Sequence, residues 1–219
     1  MAEPLGWSWR GRLPYPQALE QQRARRAAIQ AGSAPEALWL LEHDPVITLG
    51  RRGAEGLAPP DQLAARGVDV VETERGGLAT FHGPGQLVAY LLVDAHGRGW
   101  GVRRFVVAIE DALIAWLDTL GVSAGRRDGL PGVWVGTDKI AALGLHFSRG
   151  VSMHGLAVNL TTDLSWFDLF VPCGVTDGGV TSVAKLTGTS PDPKAASEAL
   201  GPILADRLCS GALESAQRP

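Results

Sequence analysis

The stretch VWVGTDKIAALGLHFSRGVSMHGLAVNL, residues 133–160, decides the fold. It holds three apolar runs, Val133–Val135, Lys139–Phe147 and Val151–Leu160, parted by only a few residues each. Turns that short join antiparallel neighbours, because a parallel crossover needs a dozen residues or more. The three runs read as a meander. Upstream, Leu87–Val93 (LVAYLLV) is a continuous apolar run, the pattern of a central strand covered on both faces. Ala37–His43 and Val46–Leu49 break at Asp44-Pro45 and read as a paired or bent strand, and Val68–Glu74 as a further strand.

Helices flank these runs. In Val102–Leu120 the apolar residues Val102, Phe105, Ile109, Ala112, Leu113, Trp116 and Leu120 repeat at threes and fours. Pro14–Ala31 reads as an amphipathic helix with Pro16 in its first turn and Gly32 as its stop. Pro59–Gly67 is a short helix, Leu164–Phe170 a short segment, and Pro193–Leu213 a C-terminal helix interrupted near Gly201-Pro202. The expectation is one α+β domain over 1–219, with a mixed, largely antiparallel sheet flanked by helices.

Composition narrows the function classes. The 219 residues carry a formal charge of −3, which gives no reason to expect nucleic acid as a partner. No run approaches the roughly 20 apolar residues of a membrane helix, and residues 1–16 lack a signal-peptide core. Two cysteines, Cys173 and Cys209, build neither a disulfide framework nor a Cys-rich zinc site. The reading is a cytoplasmic protein with no membrane partner, in which a free thiolate can persist. Only three of the 20 basic residues are lysines (Lys139, Lys185 and Lys194), so each is a candidate for a specific role.

Cys173 stands in FVPCGVTDGG, between a proline and a glycine on a loop. It is either a small buried hydrophobe or a nucleophile, and the choice depends on a cationic neighbour. Cys209 falls in a helical row with Ala205 and Ala212 and reads as core. Lys139 opens an apolar run and shares a face with Ala141, Leu143, Leu145 and Phe147. It is either a snorkelling strand-end lysine or a semi-buried ammonium beside a thiol or carbonyl oxygen. RGGLATFHGPGQ (75–86) is the densest glycine cluster, either two turns or a loop that brings backbone N–H groups to a ligand. It is neither a P-loop nor a dinucleotide fingerprint. His43, His146 and His154 lie on separate strands without metal-ligand spacing. The doublets Arg51-Arg52, Arg103-Arg104 and Arg126-Arg127 are solvated surface, or an acid-attracting rim where they share a face.

The segments YPQALEQQ (15–22), LLEHDPVITLGR (40–51), RGGLATFHGPGQLVAY (75–90), GVWVGTDKIAALGL (132–145), SMHGLAVNL (152–160) and FVPCGVTDGGVTSV (170–183) together resemble the lipoyl(octanoyl) transferase family. Phe81 and Val175 stand where that family commonly has tyrosine and isoleucine. The resemblance implies the catalytic fold shared by lipoate ligases, biotin ligases and class II aminoacyl-tRNA synthetases. It implies transfer of octanoyl from acyl carrier protein to a lysine of lipoyl domains, with Cys173 as nucleophile and Lys139 as the group that activates its thiol. It places acyl binding on Arg75, Gly76, Gly77, Leu78, Ala79, Thr80, Phe81 and His82, on Ala142, Leu143 and Gly144, and on Gly155, Leu156 and Ala157. It implies no cofactor and no metal. The competing readings are an ATP-dependent lipoate or biotin ligase and a non-catalytic acyl-binding protein.

Overall fold

The computed structural model describes residues 5–171 and 178–210. In chain order its elements are β1 (Trp7–Leu13), α1 (Tyr15–Gln30), β2 (Ala37–His43), β3 (Val46–Leu49), α2 (Pro60–Ala65), β4 (Asp69–Glu72), β5 (Thr80–His82), β6 (Gln86–Leu92), α3 (Val102–Thr119), β7 (Gly125–Arg127), β8 (Leu130–Val135), β9 (Asp138–Ser148), β10 (Val151–Asn159), a 3₁₀ turn at Leu164–Leu169, α4 (Val183–Thr187) and α5 (Pro193–Ser210). Cys173 and the rest of PCG at 172–174 lie outside the described residues, as does the end of the C-terminal helix expected to reach Leu213.

Among the described residues the principal sheet has the order β1-β2-β6-β10-β9-β8-β7. Only β1 and β2 pair in parallel; the other neighbours are antiparallel. The expected mixed, largely antiparallel α+β architecture is the one observed, with the meander forming β8, β9 and β10. All seven residues of β6 are buried, as its unbroken apolar run requires. One sheet face packs on α3 and α5, joining Leu87, Ala89 and Leu156 with Ile109, Leu113, Leu204 and Leu208. The other packs on α1, joining Val88, Tyr90 and Ala157 with Tyr15, Ala18 and Leu19.

Three expectations need correcting. Of the paired and bent alternatives for Ala37–His43 and Val46–Leu49, the pairing is overturned and the bend is observed. The chain bends at Asp44-Pro45 and changes sheets: β2 lies between β1 and β6, and β3 lies between β4 and β5 in a second, three-stranded sheet. Proline has no N–H to extend a ladder, and the residue before it is held extended, so the bend falls there. Second, α5 runs unbroken through Gly201-Pro202. A proline inside a helix costs about 3 kcal/mol. Here Ala196, Leu200, Leu204 and Leu208, all 0% exposed, form one buried stripe that spans the proline and holds the helix together. Third, 75–86 is not only turns, because Thr80–His82 pairs with β3.

Gly155 is packed tightly against the neighbouring strand β6. A Cβ on Gly155 would stand 2.0 Å from the carbonyl oxygen of Ala89, a backbone atom of β6 that cannot swing aside. Gly155→Ala is therefore expected to lose about 3 kcal/mol or more in urea unfolding. Gly125→Ala, where no atom lies within 4 Å of a new Cβ, is expected to stay within about 0.5 kcal/mol of the parent. Equal stabilities for the two variants would contradict this packing.

Candidate active site

A cavity of about 790 Å³ opens between the glycine-rich segment, strands β9 and β10, and the start of α3. That volume suits a ligand of small-molecule size. Its construction follows from the sheet register. Gly155 pairs with Gly144, Leu156 with Leu143 and Ala157 with Ala142, so the two expected acyl-binding strand stretches are direct neighbours. Residues 75–78 hang between the turn after β3 and β9. Arg51 and Arg52 donate N–H groups to the carbonyls of Arg75 and Gly77, while Gly76 donates to Leu145 on β9 at 2.9 Å. Arg75 is 6% exposed. Its Nε donates to Thr48 Oγ1 at 3.0 Å and its Nη1 to the Gly76 carbonyl at 3.0 Å, locking the loop from inside. Gly144 lets the loop lie on the sheet, since a Cβ there would be 3.1 Å from Arg75 Cδ.

The structure brings most of the expected site together. Arg75, Gly76, Gly77, Leu78, Ala79, Thr80, His82, Ala142, Leu143, Gly144, Gly155, Leu156 and Ala157 line this cavity, and so does Lys139. Phe81 does not. The strand alternation of β5 sends Thr80 and His82 to the cavity and Phe81 to the other side. There Phe81 is 0% exposed and stacks on Trp166 with ring centroids 5.0 Å apart.

Lys139 is held at both its backbone and its side chain. Its N–H donates to the Gly179 carbonyl at 2.9 Å, and its carbonyl accepts from Thr181 N–H at 3.0 Å. Its side chain is buried, with Nζ donating to the Pro131 carbonyl at 3.3 Å and lying 4.6 Å from the centroid of the Trp134 ring. The ring face and the carbonyl replace part of the hydration that burial removes. Of the two alternatives open from sequence, the semi-buried ammonium is the one observed. Val171 also abuts the cavity, its N–H donating to the carbonyl of Glu55, a lining residue.

Sequence reading picked out His82 but missed the rest of a polar aromatic wall. Tyr15, His82, Tyr90 and His154 line the cavity from four different elements. His43 joins them from behind, accepting or donating at 2.6 Å with the Tyr90 hydroxyl and at 2.7 Å bonding the Leu13 carbonyl. Because a carbonyl only accepts, His43 carries its proton on Nδ1 and takes the Tyr90 hydroxyl hydrogen on Nε2. A similar deduction fixes His82. Gln86 Nε2 donates to the Phe81 carbonyl and to Asn159 Oδ1, so Gln86 Oε1 is the acceptor facing His82 Nδ1 at 2.8 Å. His82 thus carries Nδ1–H and turns an unprotonated Nε2 the other way. Asn159 in turn donates to the Thr181 carbonyl at 3.0 Å, which ties this buried chain to the strand partner of Lys139. No local motif announces these contacts, since their members are up to 73 positions apart.

Burial sets the charge of this wall. It pushes His43 down to about 4 and His82 down to about 3, and lowers His154 while Glu74, at 3.8 Å, opposes the shift. Burial raises Tyr15 to about 12 against the pull of Arg75. Tyrosines and histidines are therefore neutral at pH 7.

The model of the lipoyl protein ligase A/B catalytic domain matches residues 14–203. An octanoyltransferase of Cereibacter sphaeroides is 47% identical over 190 residues, covering 80% of this chain and 85% of its own. One from Solibacter usitatus is 48% identical over 178 residues, covering 80% of each chain. Among solved structures, a lipoate-protein ligase A bound with ATP superposes with a TM-score of 0.70 at 19% identity, covering 95% of this chain and 86% of that one. Biotin protein ligase from Aquifex aeolicus with biotin and ATP gives 0.57 at 11%, covering 93% and 70%.

The buried histidines set an acid limit. Their folded-state proton affinity is depressed, so as pH falls the unfolded chain binds protons first. Their contribution to stability is complete above pH 6.5 and is lost between there and about 4, at up to about 1.4 kcal/mol per pH unit for each histidine. The urea midpoint is expected to fall steadily from pH 6.5 to 4.5. A midpoint unchanged over that interval would overturn the neutral assignment of His43 and His82.

Proposed function

Because the chain belongs to the lipoyl protein ligase A/B catalytic domain family, we propose that it is an octanoyltransferase that moves octanoyl from acyl carrier protein to a lysine of lipoyl domains. The whole chain serves as one catalytic unit in the cytoplasm. The observation that carries the reading is the capture of Lys139. The residues that follow Cys173 in the chain, 178–181, are strand-paired to Lys139, and the residue that precedes Pro172 is bonded to a cavity-lining residue. Both ends of the segment that carries Cys173 therefore start at the cavity.

In this reading the Cys173 thiolate attacks the carbonyl of the incoming thioester. The C–S bond to the carrier breaks, its thiolate takes a proton from the Lys139 ammonium as it leaves, and an octanoyl thioester on Cys173 remains. The lysine amine of the acceptor then attacks that carbonyl, losing a proton, and an amide forms as the Cys173 thiolate departs. The first exchange is nearly isoenergetic and the second is downhill, so neither needs ATP. The Lys139 ammonium favours the thiolate through opposite charge at close range. Leu143, Leu156 and Ala157 provide the apolar wall for the acyl chain, and with the Gly76 N–H already bonded to Leu145, the N–H of Gly77 is the candidate donor to the developing oxyanion. His82, neutral and weakly basic, is a poor base for this step, which leaves Lys139, made neutral by protonating the departed carrier thiolate, to take the amine proton and return to the ammonium.

Arg52 lines the cavity and Arg51 and Arg103 are exposed beside lining residues, so these three form the rim that meets acidic partners. Arg126 and Arg127 serve the fold instead, bonded to Glu110 and laid over Trp134 respectively.

Incubation with octanoyl-carrier protein, followed by intact-mass analysis, is expected to show one octanoyl adduct that is absent in Cys173→Ala. An ATP requirement with pyrophosphate release, and no adduct, would instead favour a ligase. In Lys139→Ala, the pH midpoint for alkylation of Cys173 by iodoacetamide is expected to rise by about one to three units. Superimposable alkylation profiles would remove Lys139 from this role. For Arg51→Glu/Arg52→Glu, the dependence of kcat/KM on salt is expected to flatten or reverse, and an unchanged slope would remove the rim.

A further inference from the structure

Glu110 is an anomaly on α3. It sits on the buried face of the helix among Ile109, Ala112 and Leu113, only 5% exposed. A carboxylate is buried at such a site only when its oxygens are bonded. Its Oε1 accepts the N–H of Gly132 on β8 at 2.9 Å, and its Oε2 accepts from Arg126 Nε at 2.8 Å. Gly132 follows Pro131, whose carbonyl accepts from Lys139 Nζ. The lysine stem lies on the same residue, since a Cβ on Gly132 would be 3.2 Å from Lys139 Cε. Two residues further along β8, Trp134 places its ring under the ammonium and donates Nε1–H to the Leu130 carbonyl at 3.2 Å. Leu130, Pro131 and Lys139 all line the cavity.

We propose that Glu110 is a positioning residue for Lys139. By holding the Gly132 N–H it fixes the start of β8, so that the Pro131 carbonyl and the Trp134 ring set the ammonium at the cavity wall. The use of that ammonium rests on the function proposed above; its placement does not. The carboxylate acts through reach rather than through charge. It touches the backbone that touches the lysine, and its own charge is taken up by Arg126. Arg127 shares the Trp134 ring with the lysine, its Cζ 4.8 Å from the centroid, and Asp138 Oδ1 accepts from Gly179 N–H at 2.9 Å.

Reach and charge separate in two conservative variants. Glu110→Asp keeps the charge for Arg126 but is one methylene short of Gly132. Glu110→Gln keeps the length and one acceptor oxygen for Gly132, while Arg126 retains Asp111 and the Val107 carbonyl. The probe is the set of lysine ε-CH₂ resonances in protein carrying ¹³C at the lysine ε-carbons. With three lysines in the chain and Lys185 and Lys194 exposed, Lys139→Arg identifies the third resonance. In the parent protein that resonance is expected upfield of the other two, displaced by the Trp134 ring. Glu110→Asp is expected to lose most of the displacement and Glu110→Gln to keep it. Full displacement in Glu110→Asp, or equal loss in both variants, overturns the proposal. Should Glu110→Asp fail to fold, amide exchange at Gly132 of the parent protein decides: protection close to that of the β9–β10 core is expected, and fast local exchange overturns the proposal. These readouts do not involve an acyl group, so an absent octanoyl adduct would defeat the proposed function and leave them standing.

Discussion

A buried ammonium is the constraint around which this end of the molecule is organised. Moving an unpaired charge out of water costs several kcal/mol even after relaxation, so a lysine is kept inside only where polar groups surround it. Lys139 meets that condition through a main-chain carbonyl and an indole face, and its own backbone is paired with Gly179 and Thr181. Those backbone bonds link residues 179–181 to the same strand edge. Charge, strand and loop are thereby fixed by one residue.

The rest of the fold serves that arrangement. Strands β9 and β10 lie in register with glycines opposite each other, which lets the 75–78 loop rest on the sheet and enclose a cavity. Arg75 spends its guanidinium on Thr48 and on the loop itself, so a basic residue inside an acyl-binding stretch acts as a brace. On the far side, burial keeps the tyrosines and histidines neutral, so the charged side chains that line the cavity are Lys139, Arg75, Arg52 and Glu55.

How much of this was legible in the sequence depends on the range of each interaction. The meander and α3 were readable because their signals are local: short turns and a three-and-four repeat within one element. The glycine segment was visible as a cluster, and its resemblance to a family grouped it with residues 142–144 and 155–157. The small three-stranded sheet was not, because β4, β3 and β5 have four residues or fewer each and draw their stability from partners elsewhere in the chain. Edge strand β1 was hidden for a similar reason: Trp7 and Trp9 alternate with polar residues over too short a span to stand out, and its partner β2 is 30 positions on. Phe81 was assigned to the cavity because its neighbours in sequence belong there, and strand alternation removed it. Glu110 falls outside the apolar repeat of its helix, and nothing local marks it as buried. Its role exists only through a strand 22 positions away.

The central claim is that the Cys173 sulfur and the Lys139 nitrogen stand side by side. The measurement that tests it most directly is the position of the Lys139 ε-CH₂ resonance in Cys209→Ser protein while the remaining thiol is titrated. A step in that resonance at the thiol's own midpoint, shared by neither Lys185 nor Lys194, is the expected result. A Lys139 resonance that passes through the thiol titration without a step would contradict the pairing and with it the proposed route of acyl transfer.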